Sequence, residues 1–238
     1  MIDRAESAHF WFAGRMDRIR LSVTRYIPSP GGKTFLDIGC GTGKVLSSLS
    51  DLGFSVTGMD VNAKAIEYAR KSCPSGAFIR ASFLSYRTTN HYDAVGLFDV
   101  IEHQADDRKF LRKAASVLKP GGYLFLTVPA GMYLWTPVDE ASGHKRRYER
   151  KELIRLLSAC GFEVCDMYYW NFFLLPPLFA WKFFGRRKKG TKGVSSYLTT
   201  PPPFFNAVCR YVLKLELLIG RFIRYPAGSS LIAVAKKT

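Results

Sequence analysis

A chain of 238 residues, 47% hydrophobic and 23% charged, is sized for one domain with a full hydrophobic core; this composition excludes wholesale disorder and a polytopic membrane protein. Its formal charge of +16 is unevenly placed: residues 1–140 hold 17 Lys and Arg against 14 Asp and Glu, whereas residues 141–238 hold 18 against 5. The C-terminal part therefore calls for an anionic partner, either a nucleic acid or a lipid surface.

Five cysteines (Cys40, Cys73, Cys160, Cys165 and Cys209) without a C-x-x-C pair argue against a disulfide framework and a thiolate zinc site. The opening stretch "MIDRAESAHFWF" has acids and Arg4 where a signal peptide needs an apolar run. A cytoplasmic location is expected, extending to the inner face of the membrane.

In chain order, apolar runs bounded by turn residues occur at "TFLDIGC", "FSVTGMD", "AFIRAS", "YDAVGLFD" and "GYLFLTVPA". Helix-like segments such as "NAKAIEYARKS" and "DDRKFLRKAASVLK" lie between them. Alternation of this kind predicts an α/β fold of right-handed βαβ units, a mostly parallel sheet with helices on both faces. Asn62 is placed to cap the second of these helices, and Pro120-Gly121-Gly122 to stop the later one. After "ERKELIRLLSACGF", a helix ending in Gly161, the alternation breaks down. Residues 170–228 are aromatic, proline-containing and basic, and "SSLIAVAKK" then gives a final strand.

"LDIGCGTGK" joins the first strand to the first helix with glycines at 39, 41 and 43, so Lys44 stands where the dinucleotide fingerprint would have its last glycine. Glycines allow close backbone approach to a ligand, and the following helix N-terminus favours a negative group. Asp60, ending the second strand, is positioned to accept hydrogen bonds from two ribose hydroxyls.

With these features in place, the sequence resembles class I S-adenosylmethionine-dependent methyltransferases. "LDIGCGTG", "GMDVN", "YDAVGLFDVIEH" and "VLKPGGYLFLTVP" look like their successive motifs across residues 34–170, and "HFWFAGR" and "LWTPVDEASGHKRRYERKEL" point to a narrower group. The resemblance implies a Rossmann-like seven-stranded sheet with the last strand antiparallel, S-adenosylmethionine as cofactor and S-adenosylhomocysteine as product. It implies cofactor contacts from Asp37, Gly39, Cys40, Gly41 and Gly43, from Asp60 and Val61, from Ser82 and Phe83, and from Phe98 and Asp99. Ser82 departs from the pattern, which usually has an acid for the adenine amino group. Before the domain, Phe10, Trp11 and Phe12 are suited to packing a helix onto the sheet, and Arg15 to pairing with the cofactor carboxylate or to the surface.

Methyl transfer to oxygen needs the acceptor's proton removed. Asp99, Glu102 and His103 in "DVIEH" and Asp139, Glu140 and His144 in "VDEASGHKRRY" are the candidates; His144 and His103 are the bases that titrate near neutrality, with Asp139 beside them. "D-x-x-E-H" with His144 also looks similar to the E-x-x-E-H metal sites of ubiquinone-pathway O-methyltransferases and small-RNA 2′-O-methyltransferases. A divalent ion on Asp99, Glu102, His103 and His144 is the alternative to metal-free activity. Arg146, Arg147 and Tyr148 are either a solvated charge run or, with Trp135 and Trp170, a binding surface for an anionic or hydrophobic small-molecule acceptor.

"WNFFLLPPLFAWKFFGRRKKG" is interrupted by Asn171, Pro176-Pro177 and Lys182, so spanning a bilayer is not expected. In "FFNAVCRYVLKLELLIGRFIRY", helical spacing puts Arg210, Lys214, Arg221 and Arg224 within a sector of about 80°. Such a helix either folds onto its own domain or lies in an anionic membrane interface. The expected organisation is one domain: an N-terminal helical cap (1–30), a cofactor core (31–169), a lid or membrane-surface insertion (170–228) and the last strand (229–238). The function expected first is O-methylation of a hydrophobic or lipid-linked small molecule; a metal-assisted RNA methyltransferase and a non-catalytic cofactor-binding scaffold are the alternatives.

Overall fold

The computed structural model describes residues 9–184 and 201–238. The first described helix is α1 (Phe10–Tyr26), and seven strands follow: β1 (Thr34–Ile38), β2 (Ser55–Asp60), β3 (Ala77–Arg80), β4 (Tyr92–Phe98), β5 (Leu118–Pro129), β6 (Phe162–Trp170) and β7 (Ser230–Lys237). They form one sheet in the order β3-β2-β1-β4-β5-β7-β6. β3, β2, β1, β4 and β5 pair in parallel, and β7 runs antiparallel to both β5 and β6. The expected seven strands and antiparallel last strand are both present. β1 and β4 are adjacent although two strands and two helices separate them in the chain, so the strand order reverses there and opens a crevice beyond their C-terminal ends.

Between the strands lie α2 (Lys44–Ser50), α3 (Ala63–Ser72), α4 (Asp107–Ser116), α5 (Pro137–Ala141) and α6 (Arg150–Ser158). Asn62 caps α3 as expected, its Oδ1 accepting from the Lys64 and Ala65 amides at 3.0 and 3.3 Å. α4 ends at Ser116, before Pro120, and β5 begins at Leu118. Central strands are apolar throughout because both faces are covered. On one face Phe110 and Leu111 of α4 and Leu153 and Leu157 of α6 meet Leu97, Leu126 and Ala233. On the other, Ile19 and Val23 of α1, Leu46 and Leu49 of α2 and Ile66 of α3 meet Phe35, Phe125 and Val234. Each such side chain contributes about 1.5–3 kcal/mol by leaving water.

β6 is absent from the run of strand-like segments read from the sequence. Its pairing with β7 shifts register between Val164 and Asp166, and an extra residue there breaks the two-residue alternation by which a half-buried strand is recognised.

Two further helices, α7 (Leu175–Phe184) and α8 (Pro203–Ile219), belong to the 170–228 insertion. α8 lies against α1. Gly14 makes this approach possible, since a Cβ there would stand 2.6 Å from Leu213 Cδ1. Trp170, Leu213 and Ile232 form a small third core with Phe10 and Trp11, so these two aromatics pack as anticipated. α8 ends at Ile219, which corrects the basic stripe: Arg221 and Arg224 lie beyond the helix, and only Arg210 and Lys214 belong to it. The basic run "GRRKKGTKG" lies outside the described residues. Among the described residues no helix is long and apolar enough to cross a membrane. All five cysteines are free.

Candidate active site

The glycine loop leaves β1 at the reversal of strand order. Gly41 has φ +54° and a Cβ added to it would meet nothing within 4 Å, so its backbone faces open space that a ligand can approach. Gly43 has φ +78° and packs instead: a Cβ would lie 2.8 Å from the Ala69 backbone, which fixes α2 against α3. Asp60 braces the loop by accepting from the Gly41 amide at 3.0 Å and from the Asn62 amide at 2.8 Å. A carboxylate oxygen has two acceptor directions, so both oxygens keep capacity for ribose hydroxyls.

Asp37 is buried and its Oδ1 has no hydrogen-bond partner. Burial pushes its pKa up to about 7, with Arg15 opposing the rise and Asp60 adding to it. Burial, then the charges of Asp37 and Asp60, likewise push the Cys40 thiol up, so it stays neutral and is a poor nucleophile.

The remaining positions implied for the cofactor divide in two. Val61 and Ser82 are exposed just beyond β2 and β3. Phe83 is turned into the core against Phe110, at 5.1 Å between ring centroids, and Phe98 is buried beside Phe35; neither ring offers a free face at the surface. Asp99 follows β4 in the left-handed region, φ +59°, and forms an ion pair with Arg15 of α1. Arg15 thus reaches the end of β4. With Phe12 and Met16 it faces Cys40, Thr42 and Val45 across a cavity of about 170 Å³ between α1 and the loop.

His103 and His144 come together from 41 positions apart because the chain after α5 lies back over the turn Ile101–His103: the Lys145 amide donates to the Glu102 carbonyl at 2.8 Å. Their rings stand edge to face at 4.9 Å. Asp139 is buried and holds His144 Nδ1 at 2.9 Å, leaving Nε2 as the other ring nitrogen. Arg147 clamps the same carboxylate through Nε at 2.8 Å and a terminal nitrogen at 2.9 Å, and the Thr136 amide donates to it at 2.9 Å. Burial alone would raise the Asp139 pKa, but hydrogen bonds from His144 and Arg147 hold it well below the usual carboxylate range. Asp139 is therefore a positioning residue for His144, which corrects its placement among the groups acting on substrate. His103 Nδ1 donates to the Gly143 carbonyl at 3.3 Å; burial, then the neighbouring His144, lowers its pKa.

Glu102 is the residue sequence reasoning undervalued. It is fully buried and neither carboxylate oxygen has a hydrogen-bond partner; burial first, then the Asp99 charge, raise its pKa well above the usual range. Glu102, His103 and His144 offer ligand atoms within 4.8 Å of one another. An orphaned buried carboxylate beside two imidazoles fits a divalent cation. Asp99 is not in this set, being engaged by Arg15. The cluster thus keeps Glu102, His103 and His144 of the four ligands that the likeness of "DVIEH" and His144 to E-x-x-E-H sites implied.

The expected acceptor surface is corrected at Arg146, Arg147, Tyr148 and Trp170. Arg146 binds Asp107 at 2.8 Å and the Gln104 and Ala105 carbonyls, Arg147 serves Asp139, and the buried Tyr148 hydroxyl donates to Asp107 at 2.9 Å. Trp170 is core, 1% exposed, beneath the Arg18 guanidinium at 4.8 Å. Trp135 is half-buried and bound to Glu140 at 3.2 Å. These arginines build the loop that carries His144; they do not present themselves to an anion. Of the insertion, α7 does reach this side: Phe179 stacks on Tyr133 at 6.1 Å and Lys182 donates to the Tyr133 carbonyl.

A family model described as a methyltransferase domain matches residues 12–166. Ubiquinone biosynthesis O-methyltransferases from Xanthomonas axonopodis pv. citri (strain 306) and Caulobacter vibrioides are 33% identical over 118 residues and 40% identical over 101. These matches cover 47% and 40% of this chain and 49% and 40% of the relatives, so the chain spans about half the length of the curated relatives it matches. Among solved structures, magnesium protoporphyrin IX methyltransferase (ChlM) from Synechocystis PCC 6803, with bound S-adenosylhomocysteine, aligns over 95% of this chain and 84% of its own at 16% identity and a TM-score of 0.60. The [4+2]-cyclase SpnF aligns over 93% and 81% at 22% identity and a TM-score of 0.60, so the likeness carries the fold and not the chemistry. Taken with the glycine loop at the β1–β4 crevice, the match over residues 12–166 shows that the chain belongs to the methyltransferase domain family, as a class I S-adenosylmethionine-dependent member.

Proposed function

We propose that this protein transfers a methyl group from S-adenosylmethionine to an oxygen of a hydrophobic small-molecule acceptor, with His144 as general base. The observation that carries the proposal is the Asp139–His144 pair at 2.9 Å, built beyond the strand ends next to the cofactor loop. Similarity to ubiquinone biosynthesis O-methyltransferases supports oxygen as the atom methylated.

When bound, S-adenosylmethionine supplies the methyl as an activated sulfonium, so the protein's contribution is alignment, exclusion of water and proton removal. Gly41 and Asp60 would hold the nucleoside. Asp139, fixed by Arg147 and Thr136, would keep a proton on His144 Nδ1 and leave Nε2 to take the proton of the acceptor's hydroxyl. His144→Ala and Asp139→Asn should each lower kcat about a hundredfold or more. Calorimetric affinity for S-adenosylhomocysteine should stay unchanged, whereas Asp60→Ala should weaken that affinity at least about tenfold. Wild-type kcat in the His144→Ala variant would reject the assignment.

One observation favours a second reading. The unpartnered Glu102 carboxylate, with His103 and His144, would hold a divalent cation able to lower the acceptor's pKa directly. Full turnover in excess chelator supports the metal-free base; loss of turnover restored by magnesium or manganese supports the ion.

A further inference from the structure

α8 is buried on one face and apolar on the opposite one. Cys209, Leu213 and Glu216 face α1, whereas Phe204, Val208, Tyr211, Leu215 and Leu218 are 83, 43, 70, 42 and 53% exposed. At about 100° per residue these five fall within a sector of about 80° centred opposite Leu213. The patch continues past the helix end with Phe222 and Ile223, at 88 and 52% exposed. Large apolar side chains exposed singly are ordinary; an aligned row is not.

Charge is arranged to match. Arg210 and Lys214, both exposed, line one border of the row, and exposed Arg221 follows the helix end. Glu216 is the sole acid between residues 203 and 224, and it is turned inward to Arg18, at 3.0 Å and 0% exposed. No carboxylate therefore faces outward along the row.

We infer that this outer face of α8 docks on an anionic lipid bilayer, with Phe204, Tyr211, Leu215, Leu218 and Phe222 entering the headgroup–acyl boundary and Arg210, Lys214 and Arg221 meeting the phosphates. The pattern is that of an interfacial helix, apolar on one side with basic borders, here held in place by a folded domain beneath it. A second copy is a poorer occupant, because it would bring three more cations to the face and no outward carboxylate to pair with them. The inference stands on the surface of α8 and does not depend on methyl transfer.

The full chain should co-sediment with vesicles of phosphatidylcholine mixed with phosphatidylglycerol, and much less with phosphatidylcholine alone. Phe204→Ser with Phe222→Ser, and separately Arg210→Glu with Lys214→Glu, should each lower partitioning at least about tenfold. All four positions are exposed, so circular dichroism melts should match wild type and separate docking from folding. The inference is overturned if neither vesicle retains the full chain, or if both variants sediment like wild type. It is equally overturned if the same variants instead abolish a dimer seen by light scattering, or retention by single-stranded RNA.

Discussion

Two buried carboxylates set how this protein responds to pH. Asp37 is raised from 3.8 to about 7, and Glu102 well above 4.5, in both cases chiefly by burial. A group whose pKa rises on folding keeps its proton in the folded state while the unfolded chain has lost it. Between the two pKa values the unfolded state binds fewer protons, and stability falls as pH rises, by about 1.4 kcal/mol per pH unit and per group. These two groups should make the ligand-free protein melt lower at pH 7 than at pH 5, against the opposing contribution of His103, whose lowered pKa makes stability rise over the same window. Glu102→Gln removes one of these contributions, so its melting temperature should exceed that of wild type at pH 8 and converge with it near pH 4; parallel curves would show that Glu102 is already ionised in the fold. The same substitution removes a ligand from the Glu102, His103 and His144 cluster, so any metal-dependent gain in melting temperature should vanish with it.

At the scale of elements, the insertion is tied to the domain by one buried carboxylate. Glu216 of α8 accepts from Arg18 of α1 at 3.0 Å, from the Asn171 amide at 2.6 Å and from the Phe173 amide at 3.1 Å. Asn171 itself stands at φ +69° where β6 ends, so one side chain fixes α1, α8 and the turn that launches α7. Glu216→Ala leaves the Arg18 charge buried without a partner and should cost about 3–5 kcal/mol in urea unfolding. Arg18→Met combined with Glu216→Gln should recover part of that loss, because no unpaired charge remains. Equal losses for the single and double variants would show that the amide contacts, and not the ion pair, carry the stability. Excising residues 170–228 would strip Trp170, Leu213 and Tyr225 from the interior, so point changes on the outer face are the better probe of docking.

For the whole molecule, binding at the β1–β4 crevice should report on the entire fold, since the glycine loop, Asp60 and α1 converge there from separate stretches of the chain. S-adenosylhomocysteine at about a hundred times its dissociation constant should stabilise the wild type by about 2.7 kcal/mol in calorimetry, and a Gly41→Val variant by far less. An unchanged melting temperature with ligand would remove the cofactor assignment. The strands around that crevice were legible in the sequence because parallel central strands are apolar throughout and bounded by turn residues, and the glycines and Asp60 because they occur within a short span whose spacing fits one kind of ligand. Local rules also gave the Asn62 cap and the apolar, basic character of residues 170–228. What they could not give was pairing across distance. Local rules left Arg146, Arg147 and Tyr148 open between a solvated charge run and an acceptor site, and Arg15 open between the cofactor carboxylate and the surface; the fold pairs them with Asp107, Asp139 and Asp99. β6 was hidden by its bulge, and α8 could not be known to stop at Ile219 or to turn Glu216 inward. The sequence by itself determined the parallel strands, the last strand, the helices between them and where a nucleoside could lie, since hydrophobic period and turn chemistry act over a few residues. Only the tertiary structure decided which charges neutralise one another, which carboxylates are left buried without partners and which apolar face remains outside, because desolvation and ion pairing depend on neighbours brought from elsewhere in the chain, 39 positions away for Arg146 and Asp107, 84 for Arg15 and Asp99 and 198 for Arg18 and Glu216.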